Sequence, residues 1–137
     1  MPVSNKVRDL MDNKIVTCNA ETPVSKVLAS MLEERVWSVI VEQDGLPIGV
    51  LTDHDILRRC VAKSLEPSRV TAGEIVSSPL LITEADAPIA DAMTMMLQKK
   101  VRRLYIVENG KVVGRIVDRA VLDNALNLLL ALSSVNL

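Results

Sequence analysis

Thr52, His54 and Asp55 lie where an apolar, β-branched run gives way to a helical one, in Gly49-Val50-Leu51-Thr52-Asp53-His54-Asp55-Ile56-Leu57. A hydroxyl and a carboxylate three residues apart at a helix start have two chemical uses. Thr-x-x-Asp before an apolar run is a capping-box signature, in which each side chain serves the other residue's backbone N–H. The same junction also favours a ligand. Unpaired N–H groups and the helix dipole attract anions, and a carboxylate accepts hydrogen bonds from vicinal ribose hydroxyls. That carboxylate repels phosphate, so a phosphate-bearing ligand needs cations from elsewhere. The run Lys99-Lys100-Val101-Arg102-Arg103 and Arg119 are the candidates. Strand alternation sends Arg102 and Arg103 to opposite faces, and Arg102 is the one we favour for a cleft. Lys99 and Lys100 read as a solvated helix end that complements the dipole.

Other reactive types offer less. His54 is the single histidine and has no cluster of further ligands, so it reads as an exposed or phosphate-side residue rather than a metal ligand or general base. Cys18 and Cys60 are isolated and form no Cys-x-x-Cys motif, which fits two buried, reduced thiols. Asp53 and Asp118 suit helix starts. Trp37 suits core or interface, and Met93, Met95 and Met96 suit core filling. No nucleophile–base pair or metal set emerges, so no enzyme activity is expected.

The elements that must position these groups follow from pattern. Ile15, Val16, Thr17 and Cys18 make a short strand over residues 14–18. Thr22-Pro23 signals a helix start, with Thr as cap and Pro at the first helical position. Val24, Val27, Leu28, Met31 and Leu32 follow a helical stripe. Strands over 37–41 and 48–51 flank Asp44-Gly45, a hairpin signal. A helix over 52–63 carries Ile56, Leu57, Cys60 and Val61 as its apolar residues. After a linker over 64–71 the pattern returns. A strand covers 80–83, and a helix begins at Pro88 with Ile89, Ala92, Met93, Met96 and Leu97 as its stripe. Strands over 103–107 and 112–117 flank Asn109-Gly110, and a last helix covers 118–133.

One offset, 65, aligns residues 7–60 with 72–125 without a gap. Identities fall at Ala20, Pro23, Met31, Leu32, Val36, Gly45, Gly49, Asp53 and Leu57. Matching periods and turns strengthen that small number. The organisation is therefore an α/β (α+β type) chain: repeat 1 over 1–63, a linker over 64–71, and repeat 2 over 72–137 with an extended last helix. The two β-α-β-β-α units are expected to pack about a pseudo-two-fold axis and leave clefts between them.

With its hairpins and its Gly49-Val-Leu-Thr52-Asp-His-Asp55 motif, this repeat resembles a tandem pair of cystathionine-β-synthase-type (CBS) domains, a Bateman module. The resemblance implies a regulatory module that binds an adenosine-containing ligand (AMP, ADP, ATP or S-adenosylmethionine) in the inter-repeat cleft. On that basis Ile15, Val16 and Thr17 line the adenine pocket. Asp55 and Thr52 meet ribose and phosphate, with His54 on the phosphate side, and Arg102 and Arg119 supply basic contacts. The second repeat has Val117 and Ala120 where the first has Thr52 and Asp55. Trp37 stands at the counterpart of Arg102, and Ile40 and Tyr105 stand where a proline is common. A second ribose site is not expected.

Composition narrows the alternatives. With 137 residues, 49% of them hydrophobic, and a net charge of −1, the chain suits a compact domain that buries roughly 70% of its unfolded surface. Near-neutral charge and the lack of Phe argue against general nucleic-acid binding, leaving the basic run at 99–103 as a possible secondary contact. No leader is apparent, and the longest apolar segment, residues 126–132, is far short of a span of ~20. A cytoplasmic location without membrane contact is expected. Leu126, Leu128, Leu129, Leu130 and Leu132 run around most of the last helix. An all-round apolar helix is normally buried on more than one side, so a homodimer is expected. The rival to a ligand sensor is a ligand-free dimerisation scaffold that uses Thr52 and Asp55 only as a cap. Either would act on a further regulated protein.

Overall fold

The computed structural model describes residues 5–134. The first four and last three residues, at the ends of the first and last segments read above, lie outside them. The elements are α1 (Val7–Leu10), β1 (Thr17–Asn19), α2 (Val24–Glu34), β2 (Ser38–Gln43), β3 (Leu46–Thr52), α3 (Asp53–Ile56, continued by a π-helical turn, Leu57–Val61), α4 (Ala72–Ile75), β4 (Ile82–Glu84), α5 (Ile89–Lys99), β5 (Arg103–Glu108), β6 (Lys111–Val117) and α6 (Asp118–Ser133). They form two three-stranded sheets, ordered β1-β2-β3 and β4-β5-β6.

Each sheet joins a parallel pair to an antiparallel hairpin in the same register. Thr17 pairs with Ile40 as Ile82 pairs with Tyr105, and Ser38 pairs with Thr52 as Arg103 pairs with Val117. Both hairpins close through two residues at positive φ, Asp44-Gly45 and Asn109-Gly110, the geometry that matches strand twist. The central strand of the first sheet is buried from Ser38 to Val41. Val39 and Val41 meet Val24, Val27 and Met31 of α2, with Leu51, Ile56 and Cys60 completing that core. Truncating a side chain as enclosed as Met31 costs about 2–5 kcal/mol. The second unit buries Ala92 and Met96 of α5 and Leu104, Ile106 and Ile116 of its sheet in the same manner.

The compact units are not the sequence repeats. Lys14–Leu81 form one; the described residues before Lys14 join those after Leu81 to form the other. The leading segments are therefore exchanged. In the first unit, Thr71 bridges Pro23 and Ser77 bridges Val50; in the second, Lys6 bridges Pro88 and Asp12 bridges Arg115. Gly49 and Gly114 make room for this. A Cβ on Gly49 would collide with the Ser77 carbonyl, and one on Gly114 would lie 2.6 Å from the Asp12 carbonyl. Arg8 of α1 is tied to Glu108 at 2.8 Å and Asp86 at 3.3 Å. Those two hydrogen bonds, Glu108 first, hold its pKa above the ordinary value.

This exchange corrects several sequence expectations. Thr22 does not cap α2, and Pro23 is the residue before the helix rather than its first. The Thr22 carbonyl accepts from Ala72 N–H, and Val24 N–H donates to the Val70 carbonyl, so this stretch is drawn into extended pairing. Pro88 behaves alike, with Ile89 N–H donating to the Asn5 carbonyl. The end of the 64–71 linker is built into the first unit, where Val70 is buried. The first strand begins at Thr17, not Lys14, because the register would place Lys14 opposite Trp37, before β2 starts. Likewise the second repeat's strand begins at Ile82 rather than Leu80. Leu32 and Leu97 are 68% and 67% exposed. Eight residues along a helix rotate a side chain about 80° from the first, which takes both off the buried stripe. Leu57 and Val61 are exposed too, leaving Ile56 and Cys60 as the buried pair of that helix.

Candidate functional site

The Thr52–Asp55 pair sits where β3 ends and α3 begins. The capping box is complete: Asp55 N–H donates to Thr52 Oγ1 at 3.2 Å, and Thr52 N–H donates to Asp55 Oδ2 at 3.0 Å. Asp55 is only 7% exposed and, with Ser38, is one of two buried polar residues among the described residues. A buried carboxylate must be paired to stay charged. Its second oxygen, Oδ1, accepts from Ser77 Oγ at 2.9 Å and lies 4.0 Å from Arg59 Nη1. Arg59 Nη1 also donates to the carbonyls of Ile75 and Val76, at 2.8 and 3.0 Å, and so ties the helix to the end of α4.

Ser77 and Arg59 were not among the sequence candidates. Arg59 was within reach, since residues four apart on a helix are neighbours. Ser77 carried no local signal: it reaches Asp55 through the bridge of its backbone to Val50.

The other candidates divide between the units. Val16 and Thr17 lie in the first. The Val16 carbonyl accepts from Ile40 N–H at 2.9 Å, and Thr17 is exposed on β1. Ile15 is half-buried just before that strand. His54 is exposed, its N–H donating to Asp53 Oδ1. Arg102 and Arg119 belong to the second unit, both exposed. Arg102 Nε is 3.3 Å from Asp118 Oδ2, with 80% of the arginine side chain exposed. Asp53 and Asp118 share one backbone role, their N–H groups donating to the carbonyls of Trp37 and Arg102. Trp37 is 50% exposed. Cys18 and Cys60 are free thiols, and burial together with the Glu42 charge pushes the Cys18 pKa up to about 11. Among the described residues, no three His, Cys, Asp or Glu side chains converge as a metal set, and no helix is long and apolar enough to cross a membrane.

A family model described as CBS domain matches residues 7–62 and again 72–127. The chain belongs to the CBS-domain family and carries two copies. An uncharacterized protein of Methanopyrus kandleri is 30% identical over 122 residues, 88% of this chain and 62% of that protein. A CBS domain-containing protein of Arabidopsis thaliana is 31% identical over 82% of this chain, which spans only 22% of its length. Hypoxic response protein 1 of Mycobacterium tuberculosis is 30% identical, with 81% of this chain and 78% of that protein covered. Among solved structures, an uncharacterized conserved protein from Pyrococcus horikoshii matches at TM-score 0.79 and 24% identity, over 100% of this chain and 98% of that one. A hexameric CBS-CP12 protein from bloom-forming cyanobacteria matches at TM-score 0.79 and 19% identity, over 87% of this chain and 70% of that one. Two CBS repeats are thus the fold of this chain. CBS pairs often serve as regulatory ligand-binding modules, the coarse function that membership gives.

Proposed function

We propose that this CBS pair is a sensor module, not an enzyme, and that it binds an adenosine-containing ligand (AMP, ADP, ATP or S-adenosylmethionine) at a site built on the first repeat. The observation that carries the reading is the buried Asp55 carboxylate, fixed at a helix start beside Thr52. Each of its oxygens accepts one hydrogen bond from the protein, and a carboxylate has about four acceptor positions, so capacity remains for ribose hydroxyls. Adenine is assigned to Ile15, Val16 and Thr17, and phosphate to Thr52, His54, Arg102 and Arg119. The Arg102–Asp118 pair is exposed, and such pairs hold by at most about 1 kcal/mol, so Arg102 exchanges partners cheaply.

A thermal-shift panel of the four ligands and NAD selects the ligand, because binding to the native state raises its stability. Calorimetry then compares wild type with Asp55→Asn. The expected loss is about 1–3 kcal/mol, the range for hydrogen bonds to a charged group. Ala120→Asp is the control, with little change expected at this site. Equal affinity in wild type and Asp55→Asn would reduce Asp55 to a cap.

A second observation favours self-association. Leu32, Leu57 and Val61 are exposed, and so are their counterparts Leu97, Leu122 and Leu126. In the second unit, Leu129, Leu130 and Leu132 add further exposed leucines along α6. Apolar surface on this scale usually marks an interface. We assign a homodimer to it, with Leu129→Glu expected to shift light-scattering mass toward monomer. A wild-type mass equal to one 15.0 kDa chain at all concentrations would refute the assignment.

A further inference from the structure

The first unit holds a basic pocket whose lining includes none of the residues assigned to the nucleotide, although its Arg59 also approaches Asp55 at 4.0 Å. It has a volume of about 410 Å³ and is lined by Arg58, Arg59, Lys63, Leu65, Val70, Glu74 and Ile75. That size falls within the usual ~300–1,000 Å³ of small-molecule sites. Three cations face one carboxylate, Glu74, whose Oε1 accepts from Thr71 Oγ1 at 3.1 Å. Arg59 is held in place through Nη1 by the Ile75 and Val76 carbonyls. Arg58 and Lys63 make no side-chain hydrogen bond or ion pair among the described residues. Leu65, Val70 and Ile75 supply an apolar floor.

The helix geometry gathers these cations. In an α-helix, residues 58 and 63 would diverge by about 140°. Here the turn Leu57–Val61 is π-helical, and Ala62 N–H donates to the Leu57 carbonyl five residues back. Lys63 lies just past that turn, its N–H donating to the Cys60 carbonyl three residues back, and lines the pocket with Arg58 and Arg59. A π turn inside a helix is frequently a functional feature. Ser64 then reverses the chain at positive φ, and Leu65 N–H returns to the Cys60 carbonyl, so Leu65 closes the wall. The second repeat has none of this. Its α6 is α-helical from Asp118 to Ser133, and Asp123, Asn124 and Leu128 stand where Arg58, Arg59 and Lys63 stand in the first. The feature is therefore not a requirement of the repeat.

We infer that this pocket binds a phosphorylated small molecule, its phosphate meeting Arg58, Arg59 and Lys63 and its apolar part lying on Leu65, Val70 and Ile75. Guanidinium groups suit phosphate through paired, charge-assisted hydrogen bonds. The inference does not rest on the nucleotide site. The test is a titration with inorganic pyrophosphate at constant ionic strength, balanced with chloride and followed by backbone amide NMR. Saturable shifts are expected around residues 58–65 and 70–76. Arg58→Ala/Lys63→Ala should weaken binding about tenfold or more, a factor worth 1.4 kcal/mol per decade. Both side chains are exposed, so this variant should keep the wild-type melting midpoint. Lys99→Ala/Lys100→Ala, which removes two cations elsewhere, should bind as wild type does. Absence of saturable shifts, or equal weakening in both double variants, would overturn the inference. Adenine-nucleotide affinity that survives Arg58→Ala/Lys63→Ala would separate the two sites.

Discussion

The two repeats solve the same joint differently, although their strands, hairpins and bridges superimpose residue for residue in register. In each, a leading segment borrowed from the other repeat lies across the last strand beside a glycine. In the first unit that segment brings Ser77 to a buried Asp55, itself locked to Thr52 and close to Arg59. In the second, the equivalent segment brings Asp12, and the strand supplies Arg115 as its partner at 3.0 Å. Val117 and Ala120 then leave the start of α6 without a side-chain cap. One joint is fixed by a carboxylate on the helix, the other by a carboxylate on the borrowed segment. The backbone frame is common to both repeats, and only the first carries a capping box at its helix start.

The largest effect should come from breaking what the joints share. Gly49→Ala is expected to destabilise by about 3 kcal/mol, since the new methyl meets backbone carbonyl rather than a yielding side chain. Gly114→Ala should do the same to a lesser degree. Denaturant unfolding of both variants measures it, and a neutral Gly49→Ala would mean the borrowed segment is not held as described.

The next effect separates the joints. Thr52→Val/Asp55→Ala removes a capping box and leaves Ser77 and Arg59 without their carboxylate, at an expected cost of about 2 kcal/mol. The reverse graft, Val117→Thr/Ala120→Asp, should return less than about 1 kcal/mol, because the second joint offers Asp12 where the first offers Ser77. Thermal melts of the two doubles give the comparison. A graft that recovers the full loss would show that the borrowed segment is irrelevant to the cap.

Arg115→Met probes the second joint alone. Its ion pair is more enclosed on the arginine side, 12% exposed, than on the Asp12 side, 37%. A loss of about 1 kcal/mol is expected, between the ranges for exposed and buried pairs, together with reduced sensitivity of the melting midpoint to salt.

The smallest effect is a pH dependence confined to the first unit. The Cys18 thiol has its pKa raised from 9.0 to about 11. The unfolded chain therefore loses this proton first as pH rises. Stability from Cys18 is full below pH 9.0 and declines from there up to about 11. Cys18→Ala should flatten that alkaline decline in a pH series of melting midpoints. Position 83, its counterpart, is Thr, so the second unit contributes no matching slope.

Much of this molecule was legible in local pattern. The hairpin turns at Asp44-Gly45 and Asn109-Gly110, the stripe Val24, Val27, Met31, the last helix over residues 118–133 and the Thr52–Asp55 box all depend on neighbours within a few residues. Backbone sterics, helical periodicity and capping act over that range, so side-chain type and spacing determine them. What tertiary structure alone decided depends on contacts far apart in the chain. The exchange of leading segments turned Thr22-Pro23 from a cap into an extended bridge. It brought Ser77 to Asp55 across 22 positions, and Arg115 to Asp12 across 103. No local propensity encodes such pairings. They follow from which backbone N–H and carbonyl groups remain unpaired once each sheet has formed, and from the room that Gly49 and Gly114 leave for another segment to satisfy them.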